Sequence, residues 1–147
     1  MNHSFLLKPA RWNVEGSYWQ NNAQTSTVTG SIKVSWQRES WFKITTQLST
    51  GEPSLLQIAS GCKGYLDPQR KSYTYVLQHN ILGNIEGEGR LGSDSIIQHY
   101  WIVGSVQRRV GIDTFYRISE DQYHLTKVLL ESHNLISTME ATLKHVI

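Results

Sequence analysis

Alternation of apolar and polar residues with period two runs through most of this chain, and it narrows the choice of fold sharply. From Val28 to Trp36 the even positions read Val28, Gly30, Ile32, Val34, Trp36, and the odd ones Thr29, Ser31, Lys33, Ser35. Successive side chains of a strand point to opposite faces, so this pattern is a strand with one face in a core and one in water. After Gln37-Arg38-Glu39-Ser40 the alternation resumes with Phe42, Ile44, Thr46 and Leu48 on one side. A joint that short cannot carry a parallel crossover, so the two strands are antiparallel neighbours.

The same unit recurs to the end of the chain. The expected strands are Trp12–Trp19, Val28–Trp36, Phe42–Leu48, Leu55–Gly64, Ser72–His79, Ile85–Leu91, Ser95–Val103, Val110–Ile118, Tyr123–Leu130 and Leu135–Val146. Turn chemistry marks the joints: Thr50-Gly51-Glu52-Pro53, Asp67-Pro68-Gln69-Arg70, Gly83-Asn84, Gly92-Ser93-Asp94, Ser119-Glu120-Asp121-Gln122 and Glu131-Ser132-His133-Asn134. Outside this set only Ser4–Arg11 has a helical reading, and Pro9 would keep it short.

About ten strands joined by short connections form a meander, and a meander of that width either flattens or closes. A Greek-key sandwich needs a long crossing connection, and none is present. Gly16, Gly30, Gly61, Gly64, Gly87 and Gly89 lie inside strands, where a barrel uses glycine for bends. The expected fold class is therefore all-β: one antiparallel up-and-down β-barrel of about ten strands, spanning residues 1–147 as a single domain.

Composition bounds the function. With 14 Lys and Arg against 12 Asp and Glu, net +2 and scattered, the chain lacks the basic stripe of a nucleic-acid binder. The single cysteine, Cys62, excludes an internal disulfide and a cysteine-built zinc site. Met1–Leu7 lacks the pattern of a secretory signal, and no apolar run is long enough for a spanning helix. A cytoplasmic location and no stable membrane insertion are the corresponding expectations.

The expected inward set holds Trp12, Val14, Tyr18, Ile32, Val34, Trp36, Phe42, Ile44, Leu56, Ile58, Tyr73, Tyr75, Leu77, Met139 and Leu143. Such a set either fills a closed core or surrounds an apolar pocket in which a few polar groups orient a ligand. Among the ligand-binding candidates Trp12, Tyr18, Trp36, Phe42, Tyr73, Tyr75 and Met139 supply the walls, and His79, His99 and Lys127 the polar groups. His79 continues the Tyr73, Tyr75, Leu77 face. His99 shares a face with Ile97, Trp101 and Val103, while the opposite parity (Ile96, Tyr100, Ile102) is nearly as apolar. Lys127 follows Tyr123 and Leu125 inward by parity unless a bulge turns it out; a buried ammonium needs a partner.

Catalytic patterns are not found. There is no Gly-x-Ser-x-Gly elbow, Glu86 and Glu88 alternate with glycines on one solvated face, and Cys62 reads as a small buried hydrophobe. An enzyme is not the expected reading. A filled barrel working through surface aromatics (Trp19, Trp41 and Tyr100 by parity) is the rival to ligand binding, and a homodimer is compatible with it.

The strand order, the early tryptophan (Trp12, with Glu15-Gly16) and the meander of about ten strands resemble the calycin group: lipocalins, fatty-acid-binding proteins and bacterial lipocalin-like proteins. The resemblance implies the barrel, an internal cavity and a small hydrophobic partner. It implies no binding residue, since the lipocalin Gly-x-Trp is replaced by Arg11-Trp12-Asn13. Fatty-acid-binding barrels receive carboxylates on basic residues, a role that Lys127 would fill by analogy. Met139-Glu140-Ala141-Thr142 followed by His145 resembles the end of haem-binding nitrobindin-type barrels, and Ser132-His133-Asn134-Leu135 resembles a segment of bilin-handling lipocalin-fold lyases. These similarities imply a tetrapyrrole, haem or bilin, as the cofactor to test, with His145 as the metal ligand only if haem is bound; the residues themselves call for no cofactor.

Overall fold

Every stretch of alternation forms a strand. The computed structural model describes residues 3–21, 24–52 and 55–147. They contain ten strands: β1 (Ala10–Gln20), β2 (Ser26–Arg38), β3 (Trp41–Thr50), β4 (Gln57–Asp67), β5 (Ser72–His79), β6 (Gly83–Leu91), β7 (Ser95–Ile102), β8 (Arg109–Ser119), β9 (Gln122–Glu131) and β10 (Asn134–His145). Pro53 and the first residues of the Met1–Leu7 stretch lie outside the described residues.

Each strand pairs antiparallel with the next, and β1 pairs with β10 as well as β2, so the sheet closes. Trp12 sits opposite Ile32 on one side and His145 on the other. Closure satisfies the hydrogen-bonding groups of what would be two open edges. Register shifts occur at Trp36/Arg38, Arg117/Ser119 and Leu135/Ser137, close to the ends of hairpins. None falls near Lys127, and its inward parity is kept. No described helix is long and apolar enough to cross a membrane.

The first described residues seal one end of the barrel. In place of the short helix entertained for Ser4–Arg11, the segment is a turn, and His3, Ser4, Phe5 and Leu6 are all buried. Phe5 stacks on Phe115 (centroids 4.6 Å apart) and meets Trp12 edge-on at 5.6 Å. His3 Nε2–H donates to the Gly92 carbonyl (2.8 Å), and Nδ1 is hydrogen-bonded with the Tyr123 hydroxyl (2.7 Å). Ser4 Oγ donates to Glu120 O, and the Trp36 indole N–H donates to Leu6 O. Tertiary partners of this number outweigh the weak local preference for a helical turn. Leu6 takes a left-handed φ of 73° to make the fit.

Strand β7 settles which of its two apolar faces is inside. Ile96, Gln98, Tyr100 and Ile102 face inward; Ile97, His99 and Trp101 face out. The inward expectation for His99 is therefore corrected, as is the outward one for Tyr100. Tyr100 pairs with Gly111 on β8, whose missing side chain seats its ring on the inner face. His99 instead lies outside, 3.7 Å from Glu88. Leu56 is half-buried but precedes β4.

The in-strand glycines are seats for rings rather than bends. A Cβ on Gly64, Gly87, Gly89 or Gly111 would overlap the ring of Phe42, Tyr75, Tyr73 or Tyr100 respectively, each its direct cross-strand partner. At Gly16 and Gly30 the obstacle is backbone of the neighbouring strand. Gly61 has open space where its Cβ would be.

Candidate functional site

The barrel interior holds a belt of polar residues at one height, set by register. Going round from β5, the directly paired positions are Tyr73, Gly89, Gln98, Asp113, Lys127, Met139 and Tyr18. The missing side chain at Gly89 lets Tyr73 reach across β6, and its hydroxyl donates to Gln98 Oε1 at 2.6 Å. The Gln98 amide donates to Asp113 Oδ2 at 2.8 Å, and Lys127 Nζ donates to the same oxygen at 3.0 Å. Four polar groups thus form one chain across five strands, running from buried Tyr73 to part-exposed Lys127.

Asp113 is the deepest charge, 1% exposed, and the Lys127 ammonium compensates it at direct contact distance. Its second oxygen, Oδ1, has no hydrogen-bond partner among the described residues. The same holds for the Tyr75 hydroxyl one belt further along the barrel, on a residue 5% exposed. Both residues line the interior cavity. Buried polar atoms without partners are rare, because each forfeits hydration without a replacement bond. Five such atoms occur among the described residues, and two of them, Asp113 Oδ1 and Tyr75 OH, belong to residues that line this one space.

The cavity is a chamber of about 100 Å³ walled by Phe5, Phe42, Ile58, Tyr73, Phe115, Leu125 and other apolar groups. It adjoins a second space of about 200 Å³ at the opposite end from the N-terminal plug, bordered by Tyr18, Leu56, Leu82 and Ile136. His79, Tyr100, Lys127 and Met139 line both. Roughly 150 Å³ of apolar cavity accommodates benzene; the chamber alone is smaller than that, and the outer space is larger.

Burial tunes the titratable groups. Desolvation drives His79 down to about 4, helped by the Lys127 charge, and its Nδ1 accepts from the Ile81 and Leu82 N–H groups. Burial pushes Cys62 up to about 12 against the pull of Lys127. Desolvation also raises Tyr73, Tyr75 and Tyr100, with the negative charge of Asp113 acting in the same direction on all three. The chamber therefore presents neutral hydroxyls and imidazole beside one ion pair, which suits binding better than proton transfer near neutral pH.

Of the predicted site residues, Phe42, Tyr73, Tyr75, His79, Lys127 and Met139 line the chamber, and Tyr18 the outer space. Trp12 and Trp36 are elsewhere. Trp12 is fully buried at the sealed end between Phe5, Tyr123 and His145, and Trp36 is engaged with Leu6 and Phe42. His145 lies 5.2 Å from Trp12 at the sealed end, outside both spaces. Gln98 and Asp113 were not anticipated. The alternation in Val110–Ile118 points away from Asp113: Val110, Ile112, Tyr116 and Ile118 form the more apolar parity, yet that face is exposed and Gly111, Asp113 and Phe115 are buried. No group of three or more His, Cys, Asp or Glu that could hold a metal occurs among the described residues.

No protein-family model and no curated protein sequence matches the chain. Solved structures do. The chain superposes on the S-type phycobiliprotein lyase CPES from Guillardia theta with a TM-score of 0.64 at 12% identity, over 95% of this chain and 89% of that one. A redesigned β-barrel, mFAP1, bound to DFHBI gives 0.52 at 14% identity, over 98% and 99% of the two chains. The barrel EF1p2_mFAP2b, also bound to DFHBI, gives 0.54 at 13%, over 99% of each. The likeness at these identities is one of architecture: a closed ten-strand antiparallel barrel.

Proposed function

We propose that the protein binds a small amphipathic molecule inside the barrel, with its apolar part in the two adjoining spaces and a polar end against the Asp113–Lys127 belt. The observation that carries this reading is the pair of unpartnered buried atoms, Asp113 Oδ1 and Tyr75 OH, on residues that line a space walled by apolar groups together with His79, Gln98 and Lys127. A core selected only for stability would place apolar side chains there, since a buried charge pair is often no better than its hydrophobic replacement. Two of the structurally similar barrels are bound to a small molecule, DFHBI, which supports the class of function and no particular ligand.

Native mass spectrometry of protein purified from its own cells tests the reading through co-purified mass, followed by titration of the recovered compound. Interior methyl signals, such as that of Met139, should shift on binding. A panel of one- and two-ring compounds that moves none of these signals would refute it.

The tetrapyrrole reading draws support from the fold shared with a phycobiliprotein lyase. It requires the chamber to expand, because a tetrapyrrole macrocycle far exceeds about 100 Å³. His145 packs against Trp12 rather than facing the chamber, so a haem iron held there would draw its ligand from elsewhere. Haem titration followed by absorption, with His145→Ala alongside, distinguishes this case: a Soret shift lost in the variant would favour it.

A further inference from the structure

The belt also has a polarity, and it selects the ligand's polar group. Resting on the binding function proposed above, we infer that the chamber takes a ligand whose polar end donates hydrogen bonds and is neutral or cationic, such as an amidine, and that it discriminates against carboxylates. This reverses the expectation that Lys127 receives a carboxylate. Lys127 is already committed to Asp113 Oδ2 at 3.0 Å, and Gln98 donates to that same oxygen at 2.8 Å. The free capacity in the belt belongs to the acceptor, Asp113 Oδ1, on a residue 1% exposed.

A carboxylate laid against Lys127 would sit beside the Asp113 charge, which is buried and so little screened by water. The remaining neighbours do not offset that repulsion. His79 is held neutral at ordinary pH, and Tyr73 already donates its proton to Gln98. An N–H donor meets Oδ1 as a charge-assisted hydrogen bond, among the stronger kinds available. The Tyr75 hydroxyl, unpartnered on the same wall, can accept from a second N–H of such a group.

Benzamidine and benzoate test this directly, being planar, nearly isosteric and opposite in charge, with toluene as the apolar control. Each is titrated into the intact protein and followed by methyl and side-chain NMR shifts of interior residues. The expected result is benzamidine binding about tenfold or more tighter than benzoate, the factor expected of one charge-assisted hydrogen bond. In Asp113→Asn the preference should fall to near unity. In Lys127→Gln, which keeps a donor toward Oδ2, the preference should grow. The second variant carries the test if the first does not fold.

Benzoate binding as tightly as benzamidine, or a benzoate site abolished by Lys127→Gln, would overturn the inference. Toluene binding without benzamidine binding would overturn it too while leaving the binding function standing. If interior signals respond to none of the three compounds, the binding function falls and the inference with it.

Discussion

Truncating Phe5 to alanine tests whether the N-terminal segment is an integral wall of the barrel or a loosely docked tail. The ring is 2% exposed, stacked on Phe115 at 4.6 Å and in contact with Trp12 and Tyr123, and it lines the chamber. Burying a phenylalanine contributes about 1.5–3 kcal/mol, and well-placed aromatic pairs add about 0.5–1.5 kcal/mol. Phe5→Ala should therefore cost roughly 3 kcal/mol, near the low end of such core truncations. The loss has a ceiling, because the ten strands are complete without residues 3–6, so it cannot exceed the docking free energy of that segment. Urea unfolding monitored by tryptophan fluorescence measures it: with a slope of about 1.5 kcal/mol/M the midpoint should fall by about 2 M. His3 docks through the same segment, so His3→Ala and Phe5→Ala should be strongly non-additive. A loss under about 0.5 kcal/mol, or strict additivity, would refute the view that the plug docks as one unit.

Other consequences are equally direct. His79 titrates near 6.5 when unfolded and at about 4 in the barrel. The unfolded chain thus holds more protons across that window, and stability should fall as pH is lowered through it. His79→Asn should flatten that part of the pH profile of the urea midpoint, and an unchanged profile would count against the assignment. Cys62, raised to about 12 from 9.0, should be alkylated at mildly alkaline pH slower by roughly two to three orders of magnitude than in urea, from its smaller thiolate fraction alone. Equal labelling rates in both states would contradict the burial. Gly89→Ala places a methyl group into the Tyr73 ring and should cost about 1–3 kcal/mol by overpacking, whereas Gly61→Ala, with open space at its Cβ, should cost nothing measurable. Similar thermal midpoints for the two would undo the account of the glycines as ring seats.

The architecture was written locally, and so was legible. Alternation with period two reports a half-buried strand wherever it occurs, and joints too short for a crossover force each strand to pair with its neighbour. Those two facts led from residues such as Val28–Trp36 to a meander, and the cost of open edges led from the meander to closure. Parity also put Phe42, Tyr73, Tyr75, His79 and Met139 on the inward face, where they line the cavity, while for Lys127 it left an outward bulge open.

Parity reports a face, but not depth along the barrel or what stands on the next strand. Trp12 and Phe42 share the inward parity, yet one packs at the sealed end and the other walls the chamber, a difference set by height in the barrel. Where both faces of a strand were apolar, as in Ser95–Val103, the choice fell to the neighbours: Gly111 admits the Tyr100 ring on the inner face, and His99 falls outward. The Tyr73–Gln98–Asp113–Lys127 chain is of the same kind. Its members are 25, 15 and 14 residues apart in sequence. Only the register of five strands, with Gly89 left bare between two of them, brings them within hydrogen-bonding distance. The residues alone determine that this chain curls into a barrel; cross-strand pairing decides what kind of interior that barrel encloses.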